Sequence, residues 1–149
     1  MRTTYRVLAG LIALGVVVQA AAVALGWFIT LADIDDGQVV DKAYLEDDGW
    51  NVGLLTHSIV GLNLMPLLGL VLFVISFFAK FPGAVKWAGF TFLAIIVQVL
   101  LAFLSFGVGE LGFLHGINAF VVLGLAANAA RRATTAGTEP ITRAETATV

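Results

Sequence analysis

Gly112-Phe113-Leu114-His115-Gly116-Ile117-Asn118-Ala119 opens the last of four long apolar segments and sets an imidazole and an amide on one helix face. The chain holds one other histidine, and it sits in an echo of this stretch, Leu54-Leu55-Thr56-His57-Ser58-Ile59. Both histidines fall a few residues inside an apolar run. Ionisable side chains at such depths are rare and costly, which makes both of them functional candidates.

The rest of the composition agrees with a chain that lives in lipid. Hydrophobic residues make up 60% of it and charged residues 12%, against roughly 25% charged in an ordinary soluble domain. Several apolar runs exceed the ~18 residues that mark a membrane-spanning helix. The fold class expected is all-α, an integral membrane four-helix up-down bundle built from two tandem helical hairpins, and 149 residues leave room for little else. No basic patch with interleaved aromatics points to nucleic acid. The absence of cysteine removes disulfides, iron–sulfur ligation, covalent c-type haem attachment and thiol chemistry. Arg2 and Arg6 ahead of an apolar run, with Ala20, Ala21 and Ala22 further on, imitate a secretory signal. The run continues through Trp27, Phe28 and Leu31, too long for a signal core, so it reads as a retained helix.

The segments expected to span are residues 7–32, 52–79, 85–108 and 111–130, all within a domain over 1–132. Residues 133–149, with six threonines and few large apolar side chains, read as a disordered tail. In the first segment Gly15, Gln19, Ala22 and Gly26 share a face, a small-residue stripe carrying one polar group. In the second, Pro66 should kink the helix. In the third, Ala94, Gln98, Ala102 and Ser105 share a face. The loop over residues 33–51 carries seven carboxylates and one base, Lys42. Its spacing around Gly37 fails the calcium-loop pattern, so it reads as a solvated acidic cap.

Orientation follows from the bases. Arg2, Arg6, Lys80, Lys86, Arg131, Arg132 and Arg143 fall on one side and only Lys42 on the other. The positive-inside rule then makes both termini cytoplasmic in a multi-pass membrane protein. Trp27 and Trp50 fall at one interface, Tyr5 and Trp87 at the other.

A weak internal repeat links the segments. Gln19 aligns with Gln98, and His57-Ser58-Ile59 with His115-Gly116-Ile117. Segments two and four run in the same direction, and at about 1.5 Å per residue both histidines lie roughly 6–8 Å below their helix ends. In an up-down bundle these helices are diagonal, roughly 13 Å apart. Two imidazole arms can span that distance with one metal ion between them. Two ligands are too few for zinc but suffice for haem iron, whose porphyrin supplies the rest. The cofactor expected is haem b, with His57 and His115 as metal ligands. Gly61, Gly112, Gly116, Asn118, Ala119, Gln19 and Gln98 complete the candidate binding residues. The second nitrogen of each ring is expected to donate to a backbone carbonyl one turn back on its own helix.

With His57 and His115 near the ends of helices two and four and the His115-x-x-x-Ala119 spacing, the bundle resembles one half of heme A synthase. It is similar, more loosely, to bis-histidine b-type membrane cytochromes. Leu114-His115-Gly116-Ile117-Asn118-Ala119 also resembles small four-helix bacterial membrane proteins of unassigned function. The heme A synthase pattern has a glutamate three residues before a ligand histidine, where this chain has Leu54 and Gly112. The resemblance therefore implies haem binding, for electron transfer or haem handling, and not that family's oxidation chemistry. Other readings stay open. The histidines can be neutral structural groups bonded to Gln19, Gln98, Asn63, Asn118 or backbone. They can line a pocket for an apolar, quinone-like ligand. The chain can also be a non-enzymatic accessory subunit that docks on a larger membrane complex or a redox partner through its small-residue stripes.

Overall fold

The computed structural model describes residues 1–47 and 50–135. Among the described residues four helices are long and apolar enough to cross a membrane: Arg2–Asp35, Val52–Ser76, Ala84–Gly107 and Leu111–Thr135, referred to below as the first to fourth helices. A short helix, Lys42–Asp47, lies in the acidic loop. Among the described residues there is no strand. The first helix has 34 residues, about 51 Å of rise against a hydrocarbon core of roughly 30 Å, so its ends reach past the apolar layer. It starts before the expected Val7 and runs beyond Ala32. The fourth helix passes the expected end at Ala130 and takes in residues 133–135 of the expected tail. The remainder of that tail, residues 136–149, lies outside the described residues.

Side-chain size is sorted in the opposite sense to a soluble protein. Ala9, Ala88, Ala126 and Ala129 are fully buried, while Leu14, Phe28, Leu67, Leu100 and Phe120 stand on the surface. Helices in lipid gain nothing from hiding large apolar groups, and small residues let their backbones approach. The first helix packs on the second and the fourth, and the third packs on the second and the fourth. The packed core gathers Tyr5, Ala9 and Ile12 with Leu72, Ala88, Val122 and Ala129. These positions sit toward the end that carries the arginines, here called the basic end.

That end is tied by named contacts. Tyr5 Oη donates to Ala84 O at 3.1 Å, and its ring meets the Phe81 edge 5.0 Å away. The Arg132 guanidinium lies 4.7 Å over the Trp87 ring, and Phe73 stacks on Phe92 at 6.0 Å. The turn between the second and third helices uses a left-handed Gly83, with φ of 82°, a conformation that costs glycine little.

Toward the acidic-loop end the helices pair off. A side chain added at Gly53 would run into the backbone of Gly26 and Ala22, so the first and second helices touch backbone to backbone there. Asn51 locks the contact. Its Oδ1 caps the second helix by accepting from Gly53 N at 3.1 Å and Leu54 N at 3.2 Å. Its Nδ2 donates to Gly26 O at 3.0 Å and to Thr30 Oγ1 at 3.2 Å. The third helix packs on the second along Met65–Ser76 rather than along Val52–Ile59. Between these two stretches lies a π-helical turn, Val60–Leu64, in which Met65 N–H reaches back five residues to Val60 O. The proline effect expected at Pro66 is realised as this wider turn just before it.

Candidate functional site

The first-helix stripe turns one side of Gln19 toward the second helix, and the wide turn of the second helix opens to receive it. His57 Nδ1 lies 3.2 Å from Gln19 O. Both ends of the Gln19 carboxamide find partners in one orientation, with Nε2 donating to His57 O at 3.0 Å and Oε1 accepting from Gly61 N at 2.9 Å. The carboxamide thus bridges the carbonyl and the amide that an unbroken α-helix would pair with each other. In this orientation its Nε2 also lies 2.6 Å from His57 Nδ1, so that ring nitrogen has a carbonyl acceptor and a competing amide donor.

The other pair repeats the arrangement. His115 Nδ1 lies 3.0 Å from Gln98 O, and Gln98 Nε2 donates to His115 O at 3.0 Å. Gln98 Oε1 accepts from Asn118 Nδ2 at 2.7 Å, which also donates to Ala94 O at 2.8 Å. A carbonyl facing Nδ1 puts the proton on that nitrogen, and the neutral ring then presents Nε2 as a bare lone pair. Hydrogen bonds between helices in lipid contribute on average only about 0.6 kcal/mol each, so the seven here together contribute roughly 4 kcal/mol. They also fix the pose of both rings.

The two rings face each other. Their centres are 6.1 Å apart with planes inclined at 66°. They stand on opposite walls of a cavity of about 540 Å³ that all four helices line. Among the described residues neither Nε2 has a hydrogen-bond partner. The remaining walls are apolar, from Val16, Met65, Ile95 and Val99, with Ser58 and Trp50 the further polar-tipped side chains. Among the described residues no carboxylate, lysine or arginine lines it.

Of the expected site residues, His57, His115, Gln19, Gln98, Gly61, Gly116 and Ala119 line this cavity. Asn118 stands behind it and holds Gln98. Gly112 does not line it and has nothing within 4 Å of a side chain added there; it shares a face with His115 but lies three residues, about 4.5 Å, nearer the start of the helix. Asn63, offered as a histidine partner, instead donates to Ile59 O of its own helix at 2.9 Å. The ring partners are carbonyls, as expected, but they belong to the facing helix rather than to the histidine's own. The neighbouring helix brings a carbonyl within reach of each Nδ1, Gln19 O and Gln98 O. Trp50, Phe103 and Phe106 also line the cavity. The sequence marked Trp50 only as an interfacial anchor and gave no sign that the two phenylalanines differ from lipid-facing ones. Among the described residues no three histidine, cysteine, aspartate or glutamate side chains gather to hold a metal ion, so any metal here rests on two protein ligands.

No protein-family model matches the chain, and no curated protein or solved structure matches it.

Proposed function

We propose that this chain is an up-down bundle of two tandem helical hairpins in a bacterial plasma membrane, with both termini cytoplasmic, and that it binds one haem b between His57 and His115. One observation carries the reading: two clamped imidazoles, each with Nε2 unpartnered, have centres 6.1 Å apart across a cavity. A metal–imidazole bond is about 2.0–2.1 Å, and a ring nitrogen lies roughly 1.1 Å from its ring centre, so two collinear imidazoles on one ion have centres about 6.3 Å apart. The walls fit a flat apolar macrocycle, because Gly61, Gly116 and Ala119 leave room beside both rings. Bound haem iron with two imidazole ligands supplies one-electron transfer and has no open position for oxygen chemistry.

The chain's own groups do the rest. Gln19 O and Gln98 O hold a proton on each Nδ1 and so keep each Nε2 available. At His57 this requires the Nδ1–H form over the competing Gln19 amide donor. The apolar walls exclude water. The charged edge of a haem has no basic partner in the cavity, and Lys42, the base of the acidic loop, lies 3.5 Å from Glu46. That weakens binding and favours haem handling over permanent storage.

A second reading is favoured by the absence of any cation in the walls. An uncharged quinone-like ligand fits an apolar cavity, and a bare Nε2 can accept a hydrogen bond from a hydroquinone hydroxyl. Purification from a haem-supplied host separates the two. The haem reading expects a low-spin b-type absorption spectrum that His57→Ala and His115→Ala each abolish or convert to a five-coordinate form. Colourless protein with extractable quinone in the wild type, lost in the same variants, supports the second.

A further inference from the structure

The helices that converge at the basic end part toward the acidic loop along two seams. The first and second helices stay together through Gly26, Gly53 and Asn51, and the third and fourth through Gln98, His115 and Asn118. Among the described residues no hydrogen bond joins one pair to the other at this end, and the buried core that joins them stops short of it. The cavity therefore has the form of a slot between two pairs of helices. Its lining residues are themselves exposed on both flanks: Ala20, Val23 and Phe120 where the first helix meets the fourth, and Leu62, Phe103 and Phe106 where the second meets the third. Phe106 is 81% exposed and Phe120 75%, values that leave lipid, not protein, as their apolar cover. The third way in is from the loop end. There Trp50 stands in the wall, Asn51 pins the second helix, and the acidic character of the loop repels an anionic visitor.

We infer that the slot exchanges its occupant sideways with the bilayer through these two seams, and that the occupant is a flat amphiphile already dissolved in the membrane. The identity of that occupant as haem rests on the reading above; the route does not. A plate lying parallel to the slot leaves by sliding between the pairs, without unmaking either glutamine–histidine clamp. The basic end holds the pairs together while this happens, through the core around Tyr5, Leu72 and Val122.

The chain has no cysteine, so single labels are clean. Ala102→Cys and Ala119→Cys, spin-labelled in phosphatidylcholine vesicles, are to be compared with the lipid-facing Leu14→Cys and the buried Ala126→Cys. Collision with oxygen near the Leu14→Cys level, with little collision with an aqueous nickel chelate, is the expected result. Oxygen access as low as at Ala126→Cys, or nickel access above oxygen access, overturns the route. A second arm uses haemin. Leu62→Cys with Phe103→Cys, and Val23→Cys with Phe120→Cys, are loaded first and then bridged by a bismaleimide across both seams. Release to empty vesicles should slow by about tenfold or more, since exchange then needs a motion that the bridges forbid. Unchanged release contradicts the inference. A protein that takes no haemin yet shows the oxygen pattern retires the haem reading and leaves the route standing. Haem binding with the nickel pattern does the reverse.

Discussion

Gln19 with His57 and Gln98 with His115 make the same pair of backbone-directed contacts, yet the far end of each carboxamide is held differently. Gln98 Oε1 takes a side-chain donor, Asn118. Gln19 Oε1 takes a backbone donor, Gly61 N, beside the wide turn over Val60–Leu64. The positions around them differ as well. Where the first pair of helices has Gly26 and Gly53 in backbone contact, the matching register of the second pair has Ser105 and Leu111. Two local solutions therefore converge on one ring pose. What is held in common is the histidine geometry, and what varies is the means of satisfying the glutamine.

That difference can be broken from either side. The largest effect is expected at Gly53→Ala, whose new methyl has only the Gly26 and Ala22 backbone to meet. Overpacking of this kind costs about 1–3 kcal/mol, here near the upper end, read as unfolding in a mixed micelle. Gly112→Ala, with nothing within 4 Å, should change stability by less than about 0.5 kcal/mol. Next comes Asn118→Ala, which removes two bonds and leaves Gln98 Oε1 without its donor. At about 0.6 kcal/mol per bond in lipid, a loss of about 1–1.5 kcal/mol is expected. Its counterpart Gly61→Ala keeps the backbone N–H and puts a methyl 3.6 Å and 3.7 Å from the two ends of the Gln19 carboxamide, an ordinary contact, so it should be nearly silent. The smallest difference concerns Gln19→Leu and Gln98→Leu. Each loses side-chain bonds but keeps the ring on a backbone carbonyl, so a bound haem should shift its spectrum without being lost. A large loss in one and not the other would show that the two clamps are not equivalent.

Much of this is legible in the sequence. Four apolar runs gave four helices, because length and hydropathy suffice for that. The stripe Gly15, Gln19, Ala22, Gly26 is the contact face of the first helix: a side chain added at Gly15 would meet Met65 and one at Gly26 would meet Leu54. The alignment of Gln19 with Gln98 and of His57 with His115 marked the two clamps. Other features carried no local signal. Pro66 announced a disturbance but not a π-helical turn that admits a neighbour's carboxamide, since that depends on a side chain 42 to 47 positions away in sequence, Gln19 against 61–66. Phe103 and Phe106 line a cavity and Phe113 faces outward, yet all are phenylalanines in apolar runs, and in lipid the pattern that separates inside from outside is weak. Gly112 shares a helix face with His115, which the spacing shows, but it lies about 4.5 Å nearer the helix start and is not among the cavity walls.

The central claim is that one ion sits between two imidazoles, and a haemin titration of the purified wild-type protein tests it most directly. Optical and electron-paramagnetic spectra should reach a low-spin, six-coordinate end point at one haemin per chain, with His57→Ala and His115→Ala each stopping at a five-coordinate form or binding none. Wild-type spectra that stay those of free haemin, or a six-coordinate species that survives loss of either histidine, would contradict it.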